Sequence, residues 1–316
     1  MVYEIVLHPE QPPGVREELE ALPDVRVIAP ADANGVYEAL VAGAPILATF
    51  QWEDRFLQPS LRWIAGEGAG FEQYPLAKLD EAGVVLTTAT GVNSISVAEH
   101  AIGLALTLTR RIGESNRDAV QHTWKQRPGT DLHGLTGAVL GLGTIGEQVA
   151  QLAEAFGMAV IGYKRDPSNY GGRVEEVFGP GQLKEVCRRA DLLFIALPGG
   201  NETRHLIDAA ALRVLGQGWI VNVGRGSVVD EEALVEALTV GELRGAGLDV
   251  FETEPLPSDS KLWDLRNAVL TPHIAGISSR YGERWAAIFR RNLDALEGNR
   301  PWVNRVGESS WDKEES

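Results

Sequence analysis

The stretch Gly141-Leu142-Gly143-Thr144-Ile145-Gly146 sets three glycines at the spacing G-x-G-x-x-G, between an apolar run ending at Leu140 and a helical pattern from Glu147 to Phe156. In such a stretch one glycine turns the chain sharply from strand to helix, one lets the backbone approach a pyrophosphate, and one lets helix and strand pack closely. Val149, Ala150, Leu152, Ala153 and Phe156 give the following segment an apolar helical face, and Ala159 to Gly162 resumes as a strand. The result is a βαβ unit whose helix N-terminus is placed to hold a pyrophosphate. A glycine-rich turn in an ordinary α/β protein would carry the same residues, so the rest of the chain has to decide.

Before this unit, apolar runs at Val2 to Leu7, Val25 to Ile28, Ile46 to Phe50, Leu61 to Ala65 and Val84 to Thr88 alternate with helical spacing at Val15 to Leu22, Gly35 to Val41 and Leu76 to Ala82. That alternation predicts a small α/β domain without a phosphate loop of its own. From Ser94 to Ile112 the sequence is continuously helix-compatible, and a polar extension carries it toward Trp124. A long apolar helix between two α/β regions predicts an interdomain or dimer-forming element, so a homodimer through residues 94–124 is expected. After the glycine unit, near-continuous apolar runs at 191–198, 219–226, 246–250 and 268–273 read as strands covered on both faces. The expected division is residues 1–98 with 277–316 as one domain and 99–276 as the other. A helix from Arg280 to Leu296 packs back, and the tail from Gly307 to Ser316 is expected to be mobile.

Charge narrows the partners. Acidic residues number 44 against 29 basic ones, a net charge of -15, which argues against general nucleic-acid binding. Only six of the basic residues are lysine, which suits either an ordinary acidic surface or one adapted to high salt, a halophilic trait. No apolar run is long enough for a membrane span, and the N-terminus reads as a first strand rather than a leader, so a cytoplasmic protein is expected. Cys187 is the only cysteine; an internal disulfide is impossible, and its apolar helical setting predicts a buried thiol. No metal site is expected.

In an open parallel sheet the ligand crevice lies at the carboxyl ends of the strands, so Arg225, Asp249, Glu254 and His273 are the site candidates. Each has an ordinary alternative: an arginine bound to a carboxylate at a sheet edge, a glutamate ending a loop before proline, a satisfied core histidine. Together, a histidine to pass a proton, a carboxylate to hold the imidazolium and an arginine to orient substrate oxygens would suffice for alcohol oxidation or ketone reduction beside a nicotinamide.

Three ordered segments, Asn222-Val223-Gly224-Arg225-Gly226-Ser227-Val228-Val229-Asp230, Gly247-Leu248-Asp249-Val250-Phe251-Glu252-Thr253-Glu254-Pro255 and Thr271-Pro272-His273-Ile274-Ala275-Gly276, resemble the signatures of the D-isomer-specific 2-hydroxyacid dehydrogenase family. The resemblance runs from about Leu61 to Arg300. It implies two domains, a Rossmann-type doubly wound parallel sheet for the cofactor and a smaller flavodoxin-like α/β domain for the substrate. It further implies that Arg225 binds the substrate carboxylate and carbonyl, that His273 is the acid/base and that Glu254 pairs with it. Asp249 would hold the nicotinamide carboxamide, with Val223 and Gly224 on the same face. Gly141, Gly143, Thr144, Ile145, Gly146, Leu197, Pro198 and Thr203 would be further cofactor contacts. The Gly68-Ala69-Gly70 turn would offer N–H groups, with Ala69 and Gly70 binding the substrate carboxylate, and catalysis would need domain closure.

The sequence departs from the family where Lys164 and Arg165 stand in place of an aspartate that accepts bonds from the ribose hydroxyls of NAD. Two cations there favour the 2′-phosphate, so NADP(H) is expected to be preferred, with NAD(H) possible; alternatively Asp166 takes the acidic role while both cations face water. Glu72 replaces a common aspartate with little expected effect. Asn93 to His100 also resembles formate dehydrogenases of the same superfamily, which carry glutamine where this chain has Glu254, so Glu254 favours a keto-acid substrate. A nucleotide-sensing binding protein of the same fold is the reading from another class. Phe50, Gln51 and Trp52 are candidates for a wall of the substrate pocket, or for core packing.

Overall fold

The computed structural model describes residues 2–307. The expected mobile tail therefore lies, from residue 308 onward, outside the described residues. Two compact units emerge among the described residues, 2–93 with 278–307, and Ser94–Ile277.

The first unit is built on five parallel strands, β1 (Tyr3–Leu7), β2 (Val25–Ile28), β3 (Ile46–Thr49), β4 (Trp63–Gly66) and β5 (Val85–Thr87), in the order β2-β1-β3-β4-β5. Helices α1 (Val15–Glu20), α2 (Ala33–Val41) and α3 (Leu76–Glu81) connect them. Alternation along each strand divides the side chains: Ile5, Leu7, Ile46, Ala48, Trp63 and Ala65 face one core, while Val6, Leu47, Ile64 and Leu86 face the other. Asp32 caps α2 by accepting the Gly35 amide at 2.9 Å.

The second unit opens with α4 (Ser94–Thr109) and α5 (Ile112–Val120). Its seven parallel strands are β6 (Thr136–Leu140), β7 (Ala159–Tyr163), β8 (Val177–Phe178), β9 (Leu192–Ile195), β10 (Trp219–Asn222), β11 (Gly245–Leu248) and β12 (Ala268–Leu270), in the order β12-β11-β10-β9-β6-β7-β8. Helices α6 (Thr144–Ala155), α7 (Leu183–Arg189), α8 (Ala209–Leu215) and α9 (Glu231–Thr239) complete it. The order reverses between β6 and β9, which pair in register from Gly137 with Leu192 to Leu140 with Ile195. A ligand crevice forms at such a reversal. The final helix, α10 (Tyr281–Leu296), returns to the first unit, where Trp285, Phe289 and Leu293 enter the core of β1, β3 and β4.

Two local expectations change. The helix expected from Ser94 to Ile112 is two helices, because Arg111 adopts φ 58° and the Thr109 carbonyl is taken by the Thr130 amide at 2.8 Å. Arg111 then closes the turn with two bonds of 2.8 Å to Glu114. All of α4 belongs to the second unit, so the division falls after Asn93 rather than 98. Strand β8 is only two residues long, below the length at which alternation is visible. Cys187 is fully buried, and burial pushes its thiol up to about 11.

Candidate active site

The three fingerprint glycines have separate physical tasks. Gly141 stands at φ 97°. A Cβ on Gly146 would lie 1.9 Å from the Gly141 carbonyl oxygen, so α6 packs directly onto the turn. Around Gly143 a Cβ would meet nothing, and no side chain caps α6 at that residue. Open space beside the uncapped amides of Thr144 and Ile145 is what a pyrophosphate needs. The residues present therefore fit a dinucleotide.

Past the end of β7, Lys164 is half-buried and makes no ion pair among the described residues. The exposed Arg165 reaches Glu202 at 3.1 Å. Asp166 turns back on Ser168, accepting its amide at 3.2 Å and its hydroxyl at 2.6 Å. Those bonds, with Lys164 nearby, hold the Asp166 carboxyl below its usual range. Across the crevice edge the 198–203 loop is closed by the Thr203 hydroxyl, which donates to the Pro198 carbonyl at 2.8 Å. Leu197 lies against Gly224, where a Cβ would come within 2.5 Å of the Leu197 carbonyl oxygen.

Beyond β10, Asn222 shapes the turn that carries Arg225. Its Nδ2 donates to the Arg225 carbonyl at 3.0 Å, and its Oδ1 accepts the Gly224 amide at 3.1 Å. The Arg225 guanidinium is exposed, donates to the Gly224 carbonyl at 2.8 Å, and has no carboxylate partner among the described residues. The turn is pressed onto the segment after β11: a Cβ on Gly226 would lie 1.9 Å from the Phe251 carbonyl carbon.

Asp249 is 1% exposed and organises the loop after β12. Its carboxylate accepts the Thr271 hydroxyl at 2.7 Å and the amides of Ile274 and Ala275 at 3.0 Å. His100, on α4, meets the same Thr271 hydroxyl at 2.9 Å. Most of the acceptor capacity of Asp249 is thus spent inside the protein, on the loop that presents His273. His273 sits at φ 52°, a left-handed conformation uncommon for a residue other than glycine. Its own amide bonds to the carbonyls of Asp249 and Thr271 impose it here. The half-exposed ring points Nδ1 at Glu254 Oε2, 2.6 Å away, while Glu254 Oε1 accepts the Phe251 amide at 3.0 Å.

In the first unit, the Gly68-Ala69-Gly70 turn leaves β4 with the amides of Ala69 and Gly70 unmatched by any acceptor among the described residues, and Ala69 exposed. The Phe50 ring covers Gly68, where a Cβ would come within 2.5 Å of it. Trp52 packs edge-on against Phe56 and leans on Tyr74, so its bulk serves packing inside this unit.

The structure thus gathers Arg225, Asp249, Glu254 and His273 at the carboxyl edge of one sheet. Asn222, Thr271 and His100 escaped assignment from the sequence. The first two lie inside recognisable motifs, but only their hydrogen bonds reveal their work. Among the described residues no group of three or more potential metal ligands occurs.

Comparison with known proteins agrees with this architecture. Residues 102–275 match the family described as D-isomer specific 2-hydroxyacid dehydrogenase, NAD binding domain. The chain belongs to the D-isomer specific 2-hydroxyacid dehydrogenase family. Over 80% of its length it is 38% identical to a D-3-phosphoglycerate dehydrogenase of Mycobacterium bovis, and the match covers 47% of that relative, so the chain spans about half its length. A glyoxylate reductase of Korarchaeum cryptofilum is 34% identical over 76% of this chain and 74% of its own. A protein of Thermus thermophilus with a solved structure superimposes with a TM-score of 0.76 at 31% identity, covering 96% of this chain and 100% of its own. No helix among the described residues is long and apolar enough to cross a membrane.

Proposed function

We propose that this chain is a D-2-hydroxyacid dehydrogenase acting mainly as a reductase of small 2-oxo acids, with NADP(H) preferred and NAD(H) usable. The observation that carries the reading is the 2.6 Å contact between His273 and Glu254 on the sheet edge that also presents Arg225, which has no carboxylate partner among the described residues. Gly141, Gly143, Thr144, Ile145 and Gly146 would hold the pyrophosphate, and Leu197, Pro198, Thr203, Val223, Gly224 and Asp249 would line the rest of the cofactor. The nicotinamide supplies the hydride when bound. Arg225 orients the substrate by pairing with its carboxylate and polarising its carbonyl. His273 gives its Nε2 proton to the carbonyl oxygen as negative charge develops there, and Glu254 holds the imidazolium through Nδ1. Ala69 and Gly70 bind the substrate carboxylate through their free amides.

Lys164 supports the NADP(H) preference, since it is a cation without an ion-pair partner among the described residues while Asp166 is occupied with Ser168. Glu202 tempers the contribution of Arg165, which leaves NAD(H) usable. A homodimer through residues 94–124 is supported by Ile112, Val120 and Trp124, which are 53%, 75% and 94% exposed, more apolar surface than a monomer gains from showing. The net charge of -15 with six lysines supports an enzyme adapted to high salt.

The test is steady-state reduction of glyoxylate, hydroxypyruvate, pyruvate and longer branched 2-oxo acids with NADPH and NADH, at low and high salt. Turnover that is faster with NADPH is the expected result. Tight nicotinamide binding without turnover of any acid would overturn the proposal in favour of a nucleotide-sensing protein.

A further inference from the structure

Glu67 has no part in the chemistry above, yet it occupies the position between β4 and the Gly68-Ala69-Gly70 turn. It is 2% exposed, and neither of its carboxyl oxygens meets a hydrogen-bond donor among the described residues. Burial alone pushes the carboxyl up to about 8, with no cation offsetting it. The titratable groups that face it are Tyr74, from the segment before α3, and Tyr281, from α10. Both hydroxyls are held above their ordinary range, by burial first and by the charge of Glu67 second.

The backbone around this acid is fastened on every side. The Glu67 amide donates to the Thr49 carbonyl at 3.0 Å, and its carbonyl accepts the Tyr281 hydroxyl. The Gly66 carbonyl accepts Trp285 Nε1 at 3.1 Å, and the Gly68 carbonyl accepts the Ala89 amide at 2.7 Å. A side chain so enclosed cannot reach water unless some of these bonds loosen. Water or an outward swing is what an unpaired carboxylate requires.

We propose that Glu67 is a positioning residue: with its proton in place the turn presents the Ala69 and Gly70 amides to the substrate carboxylate, and loss of that proton to solvent loosens the turn. This rests on the substrate reading of Ala69 and Gly70 proposed above. The consequence is a binding effect rather than a chemical one, so KM should respond to pH where kcat does not.

The experiment follows amide hydrogen exchange at Glu67 and Ala89, whose amides fasten the turn to the Thr49 and Gly68 carbonyls, from about pH 6 to about pH 9.5 in the wild type and in Glu67→Gln, corrected for base-catalysed acceleration, alongside KM and kcat for a 2-oxo acid. Above about pH 8 the wild-type turn should lose protection and KM should rise up to about tenfold per pH unit, with both flat in Glu67→Gln and the kcat profiles coinciding. Equal pH responses in the two proteins would overturn the proposal. If the variant fails to fold, a wild-type turn whose protection does not change across this range overturns it alone. Loosening of the turn without turnover of any 2-oxo acid would overturn the substrate reading and leave the control of the turn by Glu67 supported.

Discussion

Glu254 divides its carboxylate between two tasks: Oε2 stands 2.6 Å from Nδ1 of His273, and Oε1 is fixed by the Phe251 amide at 3.0 Å. Aim is therefore built into the backbone, and charge is what the side chain adds. Glu254→Gln keeps the shape and removes the charge that favours the imidazolium. Its kcat/KM for 2-oxo acid reduction should fall by about tenfold or more, while nicotinamide binding stays near wild type. A kcat/KM equal to that of the wild type would count against the role.

Among the described residues, Arg225 has no carboxylate partner to give up when a substrate arrives. Arg225→Ala should lower kcat/KM by about a thousandfold or more, while nicotinamide binding, measured by fluorescence, stays near wild type. Arg225→Lys should recover only a small part, because an ammonium cannot make the forked pair with a carboxylate.

Cofactor choice is predicted to hinge on Lys164. Replacing it with Asp sets a carboxylate where the 2′-phosphate would lie, and the ratio of kcat/KM for NADPH to that for NADH should fall by about tenfold or more. An unchanged ratio would move the phosphate contact to other residues.

The fingerprint glycines should separate under substitution with alanine. At Gly146 the new Cβ would lie 1.9 Å from the Gly141 carbonyl oxygen, so Gly146→Ala should cost about 2 to 4 kcal/mol in urea unfolding. At Gly143 the Cβ meets nothing, so Gly143→Ala should keep the stability and weaken nicotinamide binding by crowding the pyrophosphate.

Stability should also carry the mark of Glu67. Burial raises its carboxyl from an ordinary 4.5 to about 8, so between those values the folded protein holds a proton that the unfolded chain has released. Unfolding free energy therefore declines as pH rises through that window, by about a few kcal/mol at most, and is lowest above it. Urea titrations at several pH values should show a shallower decline in Glu67→Gln.

Much of this architecture can be read along the chain because parallel strands buried on both faces leave unbroken apolar runs, as Leu192 to Ile195 does, and because the candidate site residues sit just past their ends. The positions of Arg225, Glu254 and His273 follow from that geometry. What stays hidden is whatever depends on partners far apart in the chain. Thr271 becomes meaningful only when His100 and Asp249 arrive beside it. Arg111 breaks a helix that its neighbours would continue, because Glu114 and Thr130 reward the break. Glu67 looks like any surface carboxylate until the tertiary structure closes over it.

The return of α10 to the first unit makes the second unit an insertion within the first. A chain emerging from the ribosome has all of Ser94–Ile277 available before Trp285, Phe289 and Leu293 exist to fill the core of β1, β3 and β4. The cofactor-binding unit is therefore free to fold as soon as it is made, whereas the first unit must wait until α10 has been synthesised.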